Sequence, residues 1–254
     1  MDVLTRVADG IATIAMNRPA KKNALTAPMY RAMADALRAG DADPAVRCIV
    51  IHGTADAFTA GNDLEDFLNN PPLGEDAPVF SFLTALPACT KPLVAAVAGP
   101  AVGVGTTMLL HCDLVYAADN ARFALPFSQL GLCPEAASSL LLPMVVGHQR
   151  AAEKLLLGEP FGADEAREMG LVNRILPAAE TIGHALAQAA KLAKLPASSL
   201  RATKRLMKAG LVASIAQRMH DEGDEFRAML TAPAAREAFS AFIEKRKPDF
   251  TKAG

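Results

Sequence analysis

Three separated segments carry groups that can act on a ligand. The first is Phe58-Thr59-Ala60-Gly61-Asn62-Asp63-Leu64, where Gly61 permits a turn closed to most residues and Asp63 can cap a following helix. Such a turn can leave a backbone N–H, that of Ala60, directed at a bound group. The second is Gly99-Pro100-Ala101-Val102-Gly103-Val104-Gly105, running into a helix whose first N–H groups lack acceptors and sit at the positive dipole end. Two such donors converging from separate loops make an oxyanion hole, and losing one typically costs about 2.7–4 kcal/mol of transition-state stabilisation. Taken singly, each segment also reads as an ordinary tight turn. The G-x-x-x-G-x-G spacing matches neither the dinucleotide fingerprint nor the P-loop.

The third segment is Pro126-Phe127-Ser128-Gln129-Leu130-Gly131-Leu132-Cys133-Pro134-Glu135, followed by Ala136-Ala137-Ser138-Ser139 and three leucines. A carboxylate between apolar stretches is open to desolvation, which raises its pKa and suits it to proton transfer near neutral pH. By composition alone Glu135 reads more readily as an N-terminal helix residue favoured by the dipole.

These segments need a frame. Residues 3–16 alternate apolar and polar around Asp9-Gly10, the pattern of a β-hairpin. Thr26 is placed to N-cap a helix with Met29, Met33, Ala36 and Leu37 on one face. Val46–His52, Leu93–Val97 and Asp113–Ala117 read as buried strands, with a helix from the glycine loop to about His111. Strands and helices at these intervals imply α/β architecture with crossover connections. From Pro196 onward the pattern is helical throughout, over 198–211, 215–230 and 234–245. The expected division is an α/β core over 1–195 and a helical segment over 196–254.

Composition narrows the function classes. The chain has 254 residues, 51% of them hydrophobic, with a net charge of −1, so a sizeable core is expected and a general nucleic-acid surface is not. Cys48, Cys89, Cys112 and Cys133 are widely spaced, which argues against zinc and a disulfide framework and fits a cytoplasmic protein. The uncharged stretch 93–110 is broken by Pro100 and three glycines, so it is expected to fold as core and not to span a membrane.

Together, in this order and spacing, the three segments resemble the enoyl-CoA hydratase/isomerase (crotonase) family, from Asn17-Arg18-Pro19 and Asn23-Ala24-Leu25 to Glu244-Lys245-Arg246-Lys247-Pro248. The resemblance implies a crotonase-like ββα spiral core with a C-terminal helical trimerisation segment. It implies that the backbone N–H groups of Ala60 and Val104 hold a thioester oxygen as it becomes an enolate, and that Val104 stands where relatives more often have glycine. Lys21, Lys22 and Ala24 resemble the segment beside the CoA diphosphate and adenine. Gly61, Asn62, Asp63 and Leu64 resemble the loop along the adenine and pantetheine path, and Gly103 and Phe127 belong to the substrate-binding set. Hydratases of this family use two glutamates, and the matching positions here are Thr107 and Phe127, which cannot exchange protons.

The Glu135 segment is similar instead to Δ3,Δ2-enoyl-CoA isomerases, in which one glutamate shuttles a proton between C2 and C4. The resemblance thus implies an acyl-CoA substrate, no cofactor beyond the CoA it carries, no metal, and a homotrimer or hexamer. Two competing readings stand beside it. A hydrolase would use Ser138 or Ser139 with His111, although no Gly-x-Ser-x-Gly elbow is present and His111 reads better as a packed residue. A non-catalytic acyl-CoA- or RNA-binding scaffold would use Arg201, Lys204, Arg205, Lys208 and the run Lys245-Arg246-Lys247, which also read as a solvated face.

Overall fold

In the computed structural model, which describes residues 1–74 and 76–252, the chain opens with a hairpin of β1 (Val3–Ala8) and β2 (Ile11–Met16). Asp9 and Gly10 have φ of 52° and 77°, as a primed two-residue turn requires. Helix α1 (Ala27–Ala42) buries Met29, Met33 and Leu37. Thr26 does occupy its N-cap, but the hydroxyl makes no capping bond. The Asp66 carboxylate accepts the Ala27 N–H at 2.8 Å in its place. The cap therefore comes from another helix, which couples the two.

Next come β3 (Cys48–His52), α2 (Leu64–Asn69), α3 (Pro78–Ala88) and β4 (Leu93–Val97). The glycine loop forms a short strand β5 (Pro100–Val102) and then α4 (Val104–Thr107), which tightens into a 3-10 turn ending at His111. The uncharged stretch is thus strand, loop and short helix, and among the described residues no helix is long and apolar enough to cross a membrane. The core continues through β6 (Leu114–Ala118), β7 (Arg122–Ala124), α5 (Ser138–Val146), α6 (His148–Ala152), β8 (Phe161–Gly162), α7 (Ala163–Glu168), β9 (Arg174–Leu176) and α8 (Ala178–Ala193).

The main sheet has six strands in the order β1-β2-β3-β4-β6-β9, parallel from β2 onward. Both faces are covered. Ile49 and Ile51 point into the principal core, while Cys48 and Val50 meet Ala185 and Ala189 of α8. That double coverage explains why β3 is apolar at successive positions and not alternating. A second sheet, β5-β7-β8, carries the glycine loop.

Three helices close the chain: α9 (Ala197–Lys208), α10 (Val212–Leu230) and α11 (Pro233–Ile243). They pack back on the same chain, α10 against α3 and α5, and α11 against the turn at 128–130. Phe226, Leu230 and Phe239 join the principal core.

Candidate active site

The two glycine segments lie side by side. Thr59 N–H donates to the Pro100 carbonyl at 2.9 Å, and Val102 N–H donates to the Thr59 carbonyl at 3.0 Å. Gly61 has φ 88°, and a Cβ there would stand 3.0 Å from the Val102 carbonyl oxygen. Both the backbone angle and the close approach demand glycine. Beneath the pair lies Asn23, fully buried, whose Nδ2 donates to the carbonyls of Ala57 (2.8 Å) and Phe58 (3.1 Å). Its Oδ1 accepts the Arg18 N–H at 2.7 Å, and its carbonyl accepts the Thr59 hydroxyl at 2.7 Å. One asparagine therefore pins residues 18–25 to the loop.

The donor expected at Ala60 is occupied: its N–H donates to the Lys22 carbonyl at 2.9 Å. Lys22 has φ 49°, part of the left-handed turn from which that carbonyl makes the bond. Two residues on, the neighbours of Asn62 are also engaged, Gly61 N–H by the Thr59 hydroxyl (3.1 Å) and Asp63 N–H by the Leu25 carbonyl (2.8 Å). Asn62 N–H has no acceptor among the described residues. Nor has that of Val104, the first residue of α4, whereas Gly103 N–H donates to the Ala124 carbonyl at 2.9 Å. The free pair is Asn62 and Val104, and Ala60 is structural.

Asp63 is likewise committed. Its carboxylate caps α2 through the N–H groups of Glu65 and Asp66, both at 3.2 Å, and pairs with Arg18 at 2.6 Å. Burial pushes its pKa up, but the Arg18 hydrogen bond and the two amides more than reverse this, leaving it below the usual carboxylate range. Asp63 therefore shapes the loop and has no free carboxylate for a ligand. Lys21 and Lys22 are exposed, Leu64 is partly buried, and the Ala24 carbonyl accepts from Arg18 Nη1 at 3.0 Å.

Glu135 sits on a different construction. After it, Ala136 and Ala137 both adopt left-handed φ, 60° and 55°. Non-glycine residues reach that region at a cost of about 1–2 kcal/mol each. The turn is held from two sides. His111 Nε2 bonds the Ala136 carbonyl at 2.8 Å, and the Glu222 carboxylate of α10 accepts Ala137 N–H at 2.6 Å and Ser139 N–H at 2.9 Å. Glu135 is 6% exposed, and its Oε1 has no hydrogen-bond partner among the described residues. Burial, and then the charge of Glu222, raises its pKa to about 8.

Glu135 lines a cavity of about 590 Å³ between α3 and α10, walled by Phe80, Leu83, Ile215, Met219 and Phe226. None of the residues of the two glycine segments lines that cavity. Tyr30 connects the two regions: its hydroxyl donates to Asn62 Oδ1, and the charge of Glu135, after burial, raises its pKa. Phe127, expected to wall the substrate, is buried in the principal core and does not line this cavity. Thr107 is fully buried, and its hydroxyl has no partner.

The hydrolase constellation does not assemble. His111 is buried, held neutral with a pKa lowered to about 4 by desolvation, and bonded to a backbone carbonyl. Ser138 Oγ has no partner, and Ser139 Oγ accepts from Arg218. Burial pushes the thiols of Cys48, Cys112 and Cys133 up to about 12, which removes them as nucleophiles. The solvated-face reading of Lys204 also fails. That side chain is buried, 2.7 Å from Asp113 and 2.6 Å from the Lys91 carbonyl, a structural ion pair that docks α9.

A sequence profile described as enoyl-CoA hydratase/isomerase matches residues 6–253. The chain belongs to the enoyl-CoA hydratase/isomerase family. It is 36% identical to enoyl-CoA delta isomerase 2 of Rattus norvegicus, over 97% of this chain and 64% of that protein. It is 34% identical to 2,3-dehydroadipyl-CoA hydratase of Escherichia coli, over 93% of each. Its structure superposes on an enoyl-CoA hydratase/isomerase from Pseudoalteromonas atlantica with a TM-score of 0.94 and 40% identity, covering 98% of this chain and 100% of that one. The fold is that of the crotonase family, and the protein is an acyl-CoA enzyme of that family. Isomerases and hydratases match it about equally well, so the reaction must be argued from the site.

Proposed function

We propose that this enzyme moves the double bond of a 3-enoyl-CoA to the 2-trans position through a single carboxylate, Glu135. The observation that carries this reading is the buried Glu135, with an unpartnered oxygen, on the wall of an apolar cavity. The two positions that would carry hydratase glutamates hold Thr107 and Phe127, so neither of those positions supplies an acid to activate water.

The thioester oxygen sits between the N–H groups of Asn62 and Val104. Glu135 takes a proton from C2, forming its O–H bond, and the electron pair delocalises as a dienolate whose oxygen those amides stabilise. The same proton, or its equivalent, passes from the carboxyl to C4, and the double bond comes to rest between C2 and C3. Apolar walls suit this step because water would compete for proton return. No cofactor is required beyond the CoA of the substrate, and Lys21 and Lys22, exposed next to the Asn62 loop, suit its diphosphate. The reading also assigns a homotrimer or hexamer, supported by exposed Leu206, Met207, Phe242 and Ile243 on the C-terminal helices, and a cytoplasmic setting, supported by four free thiols.

The test is Glu135→Gln assayed on a 3-enoyl-CoA. General acid–base catalysis of this kind is worth about 10²–10⁴-fold, so kcat should fall by that range while CoA-ester affinity stays within a few fold. Ordinary turnover by the variant would sink the proposal.

A further inference from the structure

The mechanism leaves one buried carboxylate unused. Glu222 lies on α10, 6% exposed, on the wall of the same cavity as Glu135. Burying a carboxylate costs several kcal/mol unless hydrogen bonds compensate. Here Ala137 N–H at 2.6 Å and Ser139 N–H at 2.9 Å both donate to it and offset part of that cost, while burial still holds its pKa above the ordinary carboxylate value. Helix α10 has apolar anchors of its own in Ile215 and Phe226, so docking alone does not call for a buried charge.

The position of those amides gives the charge a use. They belong to the turn that carries Glu135, where Ala136 and Ala137 hold left-handed angles against their own preference. Glu222 takes alternate N–H groups of this turn, those of Ala137 and Ser139, while Ser138 N–H between them returns to the Glu135 carbonyl at 3.0 Å. Ala137 is also the N-cap of α5 and has no side-chain acceptor to offer, so the cap is supplied from α10.

We infer that Glu222 is the positioning residue of this site, fixing the Ala136–Ala137 turn that aims Glu135 and setting a second negative charge beside it. The inference rests on the Glu135 shuttle proposed above. Other charged or titratable groups around Glu222 are Cys133 from the turn, Lys208 from α9, and Arg218, His220 and Arg227 from α10 itself. His220 and Arg227 are paired with Asp224, and α3 presents only uncharged side chains to the cavity. Among the described residues, Glu222 is the one group that, besides burial, raises the proton affinity of Glu135.

The experiment compares wild type, Glu222→Gln and Glu222→Asp on a 3-enoyl-CoA, recording kcat, KM and the pH dependence of kcat/KM, with Glu135→Gln as control. Glu222→Gln keeps an acceptor but loses the charge. Its rising pH limb should move to lower pH by at least about half a unit, with kcat down about tenfold and KM within about twofold. Glu222→Asp keeps the charge and retracts it, so the midpoint should stay near wild type while kcat drops. It also serves as the test if Glu222→Gln does not fold. An unmoved midpoint in Glu222→Gln, or an unchanged kcat in Glu222→Asp, would reduce Glu222 to a plain helix cap and overturn the inference. If Glu135→Gln still turns over, the shuttle itself fails, whatever Glu222 does.

Discussion

The two halves of the site are built by opposite means. At the glycine turns the working groups are backbone N–H donors, fixed by a ring of satisfied hydrogen bonds through Asn23, Thr59 and Leu25. In the second region the proposed working group is a side chain, on a turn strained at Ala136 and Ala137 and held by a residue 85 positions away, as the Ala137–Glu222 bond shows. A backbone donor survives a change of side chain. A shuttling carboxylate does not, and its pKa answers to every charge placed near it. At the donor positions themselves the first region therefore tolerates a change of side chain, although Gly61 and Asn23, which fix them, do not, whereas the second depends on the side chain of Glu135 itself.

Substitutions at Val104 break that comparison most directly, after Glu135→Gln itself. Val104 is the first residue of α4, where proline is tolerated because its missing N–H has no intrahelical partner. Val104→Pro should thus delete one oxyanion donor with little damage to the fold, and kcat should fall about 10²–10³-fold, as for other lost donors. Val104→Gly keeps the donor, and its kcat should stay within about fivefold, a side-chain effect only. Equal losses in steady-state assays of the two variants would show that the valine side chain, and not its amide, matters.

Much of this was legible in the sequence, for identifiable reasons. The hairpin, β4 and the three C-terminal helices follow from turn chemistry and apolar period. Helix α3 carries the same kind of signal, with Val79, Phe82, Leu83 and Leu86 at helical spacing. What marks Glu135 in the sequence is the similarity of its segment to the isomerases, because by composition alone a dipole-favoured place at a helix N-terminus is the likelier role. A motif names a loop, whereas only the hydrogen-bond ladder tells which N–H is left over, and on that ladder it is Asn62 and not Ala60. Glu222 and Lys204 were hidden for a different reason. On a helix wheel both look like solvated charges, and only the docking of α9 and α10 onto distant segments buries them.

A second test sharpens the contrast by titration. Glu135 has its pKa raised from 4.5 to about 8, so between those values the folded chain retains a proton that the unfolded chain has released. Stability must fall as pH rises through that window, by a few kcal/mol at most, and then level off above it. Glu135→Gln removes the titration. Its urea midpoint relative to wild type should therefore climb from pH 5 to pH 8.5, so that the variant that loses catalysis gains stability at alkaline pH. A difference that stays constant across that range would mean that Glu135 is solvated in the folded protein, and the dry cavity would be lost from the argument.

The smallest effect concerns the strained turn. Ala137 holds φ 55° with its N–H bonded to Glu222, and glycine accepts that angle without the Cβ conflict. Ala137→Gly should raise stability by about 1 kcal/mol, read as a higher urea midpoint at neutral pH. Because the Glu222 bonds use backbone N–H groups, they persist in the variant, and kcat should stay within about twofold. A stabilised variant with unchanged turnover would mean that the hydrogen bonds aim Glu135 and that the strain is incidental. A large drop in kcat with a raised midpoint would mean instead that the stiffness of Ala137 itself holds the carboxylate, making the side-chain half of the site dependent on a backbone constraint after all.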